Sequence, residues 1–215
     1  MIATKFAAHV LALLPLAFVL WDVWGVWRGS APHALGADPV AQLTHRTGTW
    51  ALRLLLVTLA MTPLRRLSGR VEFIRFRRLF GLYTFFYASL HFAIYLGLDL
   101  RGYWSTIWAD ILKRPFITVG FSAWLLLALL ASTSTRGWMR RLGRRWSQLH
   151  KLVYAIGVLA VLHYAWLVKS DLRIPLIYAG ILALLLGMRA WWAWRARKQR
   201  KPISRPDVAR TPAAG

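Results

Sequence analysis

Apolar residues fall into six long runs separated by short polar connections. The runs lie at 6–24, 47–62, 79–98, 116–133, 146–168 and 174–194. The fifth includes a polar lead-in from Trp146, and the sixth continues past Arg189 through Trp194. The third and fourth contain no Asp, Glu, Lys or Arg; the second contains one, Arg53. Runs that are apolar around the whole helix belong in a bilayer or a large core. A spanning helix needs about 17–25 residues, so the pattern predicts six membrane spans within the usual boundary error. Pro115 and Pro175 sit where a first helical turn should begin, a place that tolerates a missing N–H. Pro15, inside the first run, predicts a kink. No internal repeat is visible. The fold expected is all-α: a six-helix integral membrane bundle over residues 1–197, followed by a basic, disordered tail at 198–215 that is attracted to lipid. The first run is read as a retained helix rather than a cleaved signal peptide, because its apolar stretch is long and no clear small-residue cleavage site follows.

Composition strengthens this reading. The 215-residue chain is 58% hydrophobic and only 17% charged, where soluble domains are nearer half apolar and about a quarter charged. Its net charge of +22 would in a soluble chain suggest nucleic acid. Here the charge is sorted by loop. The segments at Lys5, 64–78, 136–151 and 189 onward carry 21 Lys and Arg against two acids, Glu72 and Asp207. The other side carries eight against five. The positive-inside rule then places the basic side and both termini in the cytoplasm. Tryptophans follow as two interface belts, with Trp21, Trp24, Trp27, Trp104, Trp108 and Trp166 outside and Trp138, Trp146, Trp191, Trp192 and Trp194 inside. No nucleic acid is expected as a partner.

The chain contains no cysteine. That excludes disulfides, thiol catalysis, cysteine-ligated iron–sulfur clusters and covalent heme attachment. Redox chemistry here requires a bound cofactor. No Gly-rich nucleotide fingerprint is present, so a Rossmann-type dinucleotide site is not expected.

Ionisable groups within spans are costly and mark function. At ~1.5 Å per residue, His91 lies roughly 20 Å from the inner boundary and His163 roughly 25 Å. Two imidazoles at matched depth on separate helices suit the two faces of one porphyrin, and without cysteine such a heme is b-type. His150 lies near the inner boundary, one turn into the fifth span. Thirteen residues separate it from His163, which leaves the two about 140° apart around an ideal helix. They share no face unless that helix is distorted. The third span offers Arg77 and Arg78 at the inner level rather than a histidine. His9, on the first span, is the remaining inner candidate. His45 stands at the outer mouth of the second span. Arg53 either snorkels to the boundary or pairs with a heme propionate. Each of these histidines taken singly also suits an interhelical hydrogen bond. His33, in an outer loop, is read as solvated.

Several blocks of sequence, in order, carry a resemblance. They are LGADPV at 35–40, RRLFGLYTFFYASLH ending at His91, RPFITVG at 114–120 and STST at 132–135. LGRRWSQLHKLVY around His150, LHYAW around His163 and PLIYAG at 175–180 complete them. Through these, from about His9 to Arg189, the chain resembles the heme-binding membrane subunits of bacterial periplasmic methionine sulfoxide reductase systems, the MsrQ family, within the ferric-reductase-like transmembrane group. The resemblance implies a bacterial inner-membrane protein that binds heme b, one or two, and FMN. It implies electron uptake from the quinone pool or a cytoplasmic flavin reductase. It implies delivery to a periplasmic molybdopterin-containing catalytic subunit that reduces methionine sulfoxide in proteins, so substrate reduction occurs on the partner. His91, His150 and His163 match histidines regarded as heme ligands in that family. Related oxidases carry two histidines on each of two helices, and this chain lacks the inner one on its third span. A stand-alone transmembrane ferric reductase, and a cofactor-free assembly factor or transporter, are the competing readings.

Overall fold

The computed structural model describes residues 2–100, 107–168 and 171–199. The expected outer-belt Trp104 and the tail from Arg200 onward lie outside these. The described residues form helices and connecting turns, with no strand. Helices α1 (Ile2–Trp27), α2 (Pro39–Ser68) and α3 (Glu72–Ile94) come first, α3 continuing into a π-helical turn, Tyr95–Asp99. Then follow α4 (Ile107–Lys113), α5 (Pro115–Ser132), α6 (Arg136–Leu142), α7 (Arg144–Leu149), α8 (Leu152–Val168) and α9 (Arg173–Lys198). Six stretches are long and apolar enough to cross a membrane: α1, α2, α3 with its π turn, α5, α7 with α8, and α9. The protein is a multi-pass membrane protein.

Local chemistry sets the helix ends. Asp38 caps α2, its carboxylate accepting the Ala41 N–H at 2.9 Å, with Pro39 in the first turn. This cap starts α2 earlier than the apolar run implies, since His45 and Arg46 interrupt the run but not the helix. Gly69, at φ 72°, ends α2 in a left-handed turn, a conformation that costs an L side chain most. The fifth span differs from expectation. It is not continuous but breaks at His150 and Lys151. There the N–H groups of Lys151 and Tyr154 donate three residues back, to Gln148 and Lys151. His150 stands at the junction between α7 and α8 rather than one turn inside a helix.

The core is a layer of leucines and isoleucine from four helices: Leu55 and Leu59 of α2, Leu127 of α5, Ile156 of α8 and Leu182 of α9 among them. Leu59 is fully buried. The α2–α3 and α5–α8 pairs pack most extensively and form the two halves of the bundle. By contrast α1 packs less extensively, through Ala12 and Leu16 and a few polar contacts. The Tyr87 hydroxyl donates to Ala12 O at 2.8 Å and accepts the Leu16 N–H at 3.1 Å, filling the helical bond beside Pro15. An inserted side chain of this kind, next to proline, accommodates a kink. Arg46 of α2 pairs with Asp22 of α1.

Candidate functional site

His91 of α3 and His163 of α8 meet in the middle of the bundle. Their ring centroids are 6.2 Å apart and their planes cross at 81°. Each ring is held in the same manner. His91 Nδ1 lies 2.8 Å from Thr44 O, and His163 Nδ1 lies 2.6 Å from Phe116 O. A carbonyl only accepts, so Nδ1 carries the proton in both and Nε2 keeps its lone pair. This is the arrangement by which a backbone carbonyl orients a metal-binding imidazole and raises its basicity.

The two seats also share a glycine. A Cβ at Gly48 of α2 would stand 2.9 Å from His91 Nδ1, and one at Gly120 of α5 would stand 2.6 Å from His163 Nδ1. Thr44, Gly48 and His91 recur as Phe116, Gly120 and His163, each 72 positions on. The sequence displays no repeat, yet the bundle's two halves build the same seat. Gly48 and Gly120 escaped sequence reasoning; their signal is a glycine 43 residues before each histidine.

The sequence-predicted inner residues do not form a matching pair. His150 Nδ1 lies 3.1 Å from Trp146 O, and the Trp146 indole stacks on the ring at 4.0 Å. Trp146 also donates to Thr133 O at 3.0 Å, so this belt tryptophan packs against His150. Ser134 Oγ lies 3.4 Å from His150 Nε2 and 2.7 Å from Leu130 O. Its single proton goes to the nearer carbonyl, which leaves Nε2 of His150 with a lone pair too. Toward this end α3 carries Arg77 and Arg78. Fourteen residues before His91, Arg77 comes within about 40° of its face on an unbroken helix. A guanidinium has no lone pair to offer a metal.

The lower-ranked candidates have other partners. His9 Nδ1 and Tyr83 Oη are 2.8 Å apart, which ties α1 to α3. His45 Nε2 and Tyr164 Oη are 3.3 Å apart, linking α2 to α8. Arg53 donates to Tyr178 Oη at 2.9 Å and lies 4.7 Å over the Trp50 ring. It stands about 140° around α2 from Gly48 and so faces away from the histidine pair. At the basic end Arg189 donates to Leu59 O and, at 2.8 Å, to Tyr154 Oη, joining α9 to α2 and α8. Thr62 Oγ1 and Arg189 Nε are buried without a hydrogen-bond partner among the described residues.

Known proteins share this arrangement of sequence. The family model of the ferric reductase like transmembrane component matches residues 47–161, which include Gly48, His91, Gly120 and His150. The chain is 61% identical, over 97% of its length and 95% of the relative's, to a protein of Xanthomonas euvesicatoria pv. vesicatoria named protein-methionine-sulfoxide reductase heme-binding subunit MsrQ. A protein of the same name from Ralstonia nicotianae is 50% identical over 92% of this chain and 89% of its own length. Identity at this level across nearly the whole of both chains is shared ancestry, and the protein therefore belongs to the MsrQ family of heme-binding subunits within the ferric-reductase-like membrane proteins.

Proposed function

We propose that this protein is a transmembrane b-type cytochrome whose heme lies between His91 and His163. The 6.2 Å separation of those rings carries the reading. Two imidazoles on opposite sides of one iron, each about 2 Å from it, have ring centres roughly 6 Å apart. The bare Nε2 atoms and carbonyl-bound Nδ1 atoms supply the right donors. When bound, heme b supplies a one-electron carrier at that depth. The protein's residues orient the two ligands and leave each Nε2 lone pair free to bind. His150 offers one further imidazole nitrogen toward the basic end, where α3 carries Arg77 and Arg78 rather than a histidine.

Direction follows from charge. The basic end lies in the cytoplasm, and electrons enter there or from the quinone pool. The His91–His163 level then stands toward the periplasm, where a molybdopterin-containing partner takes the electrons and reduces methionine sulfoxide. The absence of cysteine from this chain supports that division of labour. FMN belongs to the same reading. Its phosphate would find counter-charges at the basic end, which carries Arg66, Arg77 and Arg189 and where Thr62 Oγ1 and Arg189 Nε have no hydrogen-bond partner among the described residues.

Detergent-purified protein, expressed with ample heme supply, tests the reading. A Soret band that sharpens on reduction is expected, followed by reoxidation when the periplasmic reductase and a sulfoxide substrate are added. No Soret band sinks the cytochrome. Reoxidation by chelated iron, but not by the reductase with substrate, would favour the ferric reductase instead.

A further inference from the structure

The two histidine seats do more than supply ligands. Each ring is fixed at two points, by a bond from Nδ1–H to a carbonyl and by contact with a bare glycine. At Gly120 a Cβ would meet His163 at 2.6 Å and 2.7 Å, and at Gly48 it would meet His91 at 2.9 Å and 3.0 Å. A real Cβ does not approach so closely. The ring would have to turn, and turning it breaks the Nδ1 bond. The membrane helices do not carry glycine this tightly everywhere: around Gly180 and Gly187 of α9 a Cβ would meet nothing within 4 Å. Glycine inside a helix is less favourable than alanine, and it stands at the same point of both halves.

We infer that Gly48 and Gly120, with the carbonyls of Thr44 and Phe116, are a matched pair of positioning seats that hold the two axial imidazoles in crossed planes. The inference rests on the heme reading above. The rings cross at 81° because each is locked to its own half of the bundle, His91 to α2 and His163 to α5. Crossed imidazoles donate to perpendicular iron d orbitals, so neither orbital is raised above the other. Ferric iron then keeps a nearly degenerate pair, which parallel imidazoles would split. The signature is spectroscopic. Crossed planes give one strongly anisotropic low-field EPR feature, and parallel planes give a resolved three-line rhombic spectrum.

EPR of the ferric full-length protein reads this directly, and the single low-field feature is expected. A Soret band accompanied by a rhombic spectrum overturns the seats and leaves the heme reading intact. Absence of any Soret band removes both. Gly120→Ala and Gly48→Ala then test the residues. Each should move the low-field feature or lower the heme-to-protein ratio at least twofold, Gly120→Ala more than Gly48→Ala. Gly180→Ala, equally helical but open, should change neither. Should Gly120→Ala fail to accumulate, the looser Gly48 seat gives the answer. Wild-type spectra and heme content in Gly48→Ala show that the glycines position nothing.

Discussion

At one depth of the bundle α3 and α8 bring two imidazoles together; toward the basic end α3 carries Arg77 and Arg78, and the junction of α7 and α8 carries His150. The far level is built twice over, with Thr44, Gly48 and His91 matched by Phe116, Gly120 and His163. The basic level is built once. Ser134 and Trp146 contact His150 there. The difference teaches what a bis-histidine site requires beyond histidines. It needs a carbonyl to set each tautomer, a gap in the facing helix to admit each ring, and the same helical phase on both sides. At the basic level the spacings differ: His150 stands thirteen residues before His163, about 140° away on an unbroken helix, whereas Arg77 stands fourteen before His91, about 40° away. Counting back 72 positions from His150 gives Arg78, but the helix turns Arg77 toward the bundle instead.

The comparison breaks first at the far level. His163→Ala should lower the heme-to-protein ratio at least tenfold, measured as pyridine hemochrome, since one bound imidazole cannot replace two. Full heme content with an unshifted reduced spectrum in that variant would show that the far pair is not the ligand set. Next comes the basic level. Arg77→His should add up to one heme per chain, because it puts an imidazole where His150 lacks one. Arg78→His should add none, being about 140° from the His91 face. An equal gain in both would mean that α3 carries no phase restriction at that end.

Smaller effects separate packing from ligation. Arg189→Met removes bonds to Leu59 O and Tyr154 Oη. It should destabilise the protein by about 1–3 kcal/mol, the cost of stranding buried polar groups. Its far-level EPR spectrum should stay unchanged, and a changed spectrum would mean that the two depths are mechanically coupled. The smallest change is expected from Tyr87→Phe, which frees α1 from its contact beside Pro15. Interhelical hydrogen bonds within membranes average about 0.6 kcal/mol, so a loss of about 1 kcal/mol is expected for this pair. Equilibrium unfolding in mixed detergent micelles measures both. A much larger loss for Tyr87→Phe would make α1 an integral part of the core rather than a helix resting against it.

Much of this was legible in the residues. Six apolar runs predicted six spans because hydrocarbon tolerates nothing else for that length. His91 and His163 were legible as a pair because a rise of ~1.5 Å per residue converts numbering into depth. The extension of α2 back to Pro39 was not, because the Asp38 cap outweighs the polar residues that follow it. Nor were the partners of His9, His45 and Arg53. Depth shows that a tyrosine is at the same level, but only packing shows which tyrosine faces it.

The sequence by itself determined the medium, the number of crossings and the sorting of charge along the chain. All of these follow from one-dimensional quantities: run length, residue count and the position of lysine and arginine. The tertiary structure decided what depends on rotation about helix axes. It turned His91 and His163 toward each other, placed a glycine and a carbonyl behind each ring, and broke the fifth span at His150. Rotation is fixed by side-chain packing between helices, and an all-round apolar helix carries no polar face from which to read it.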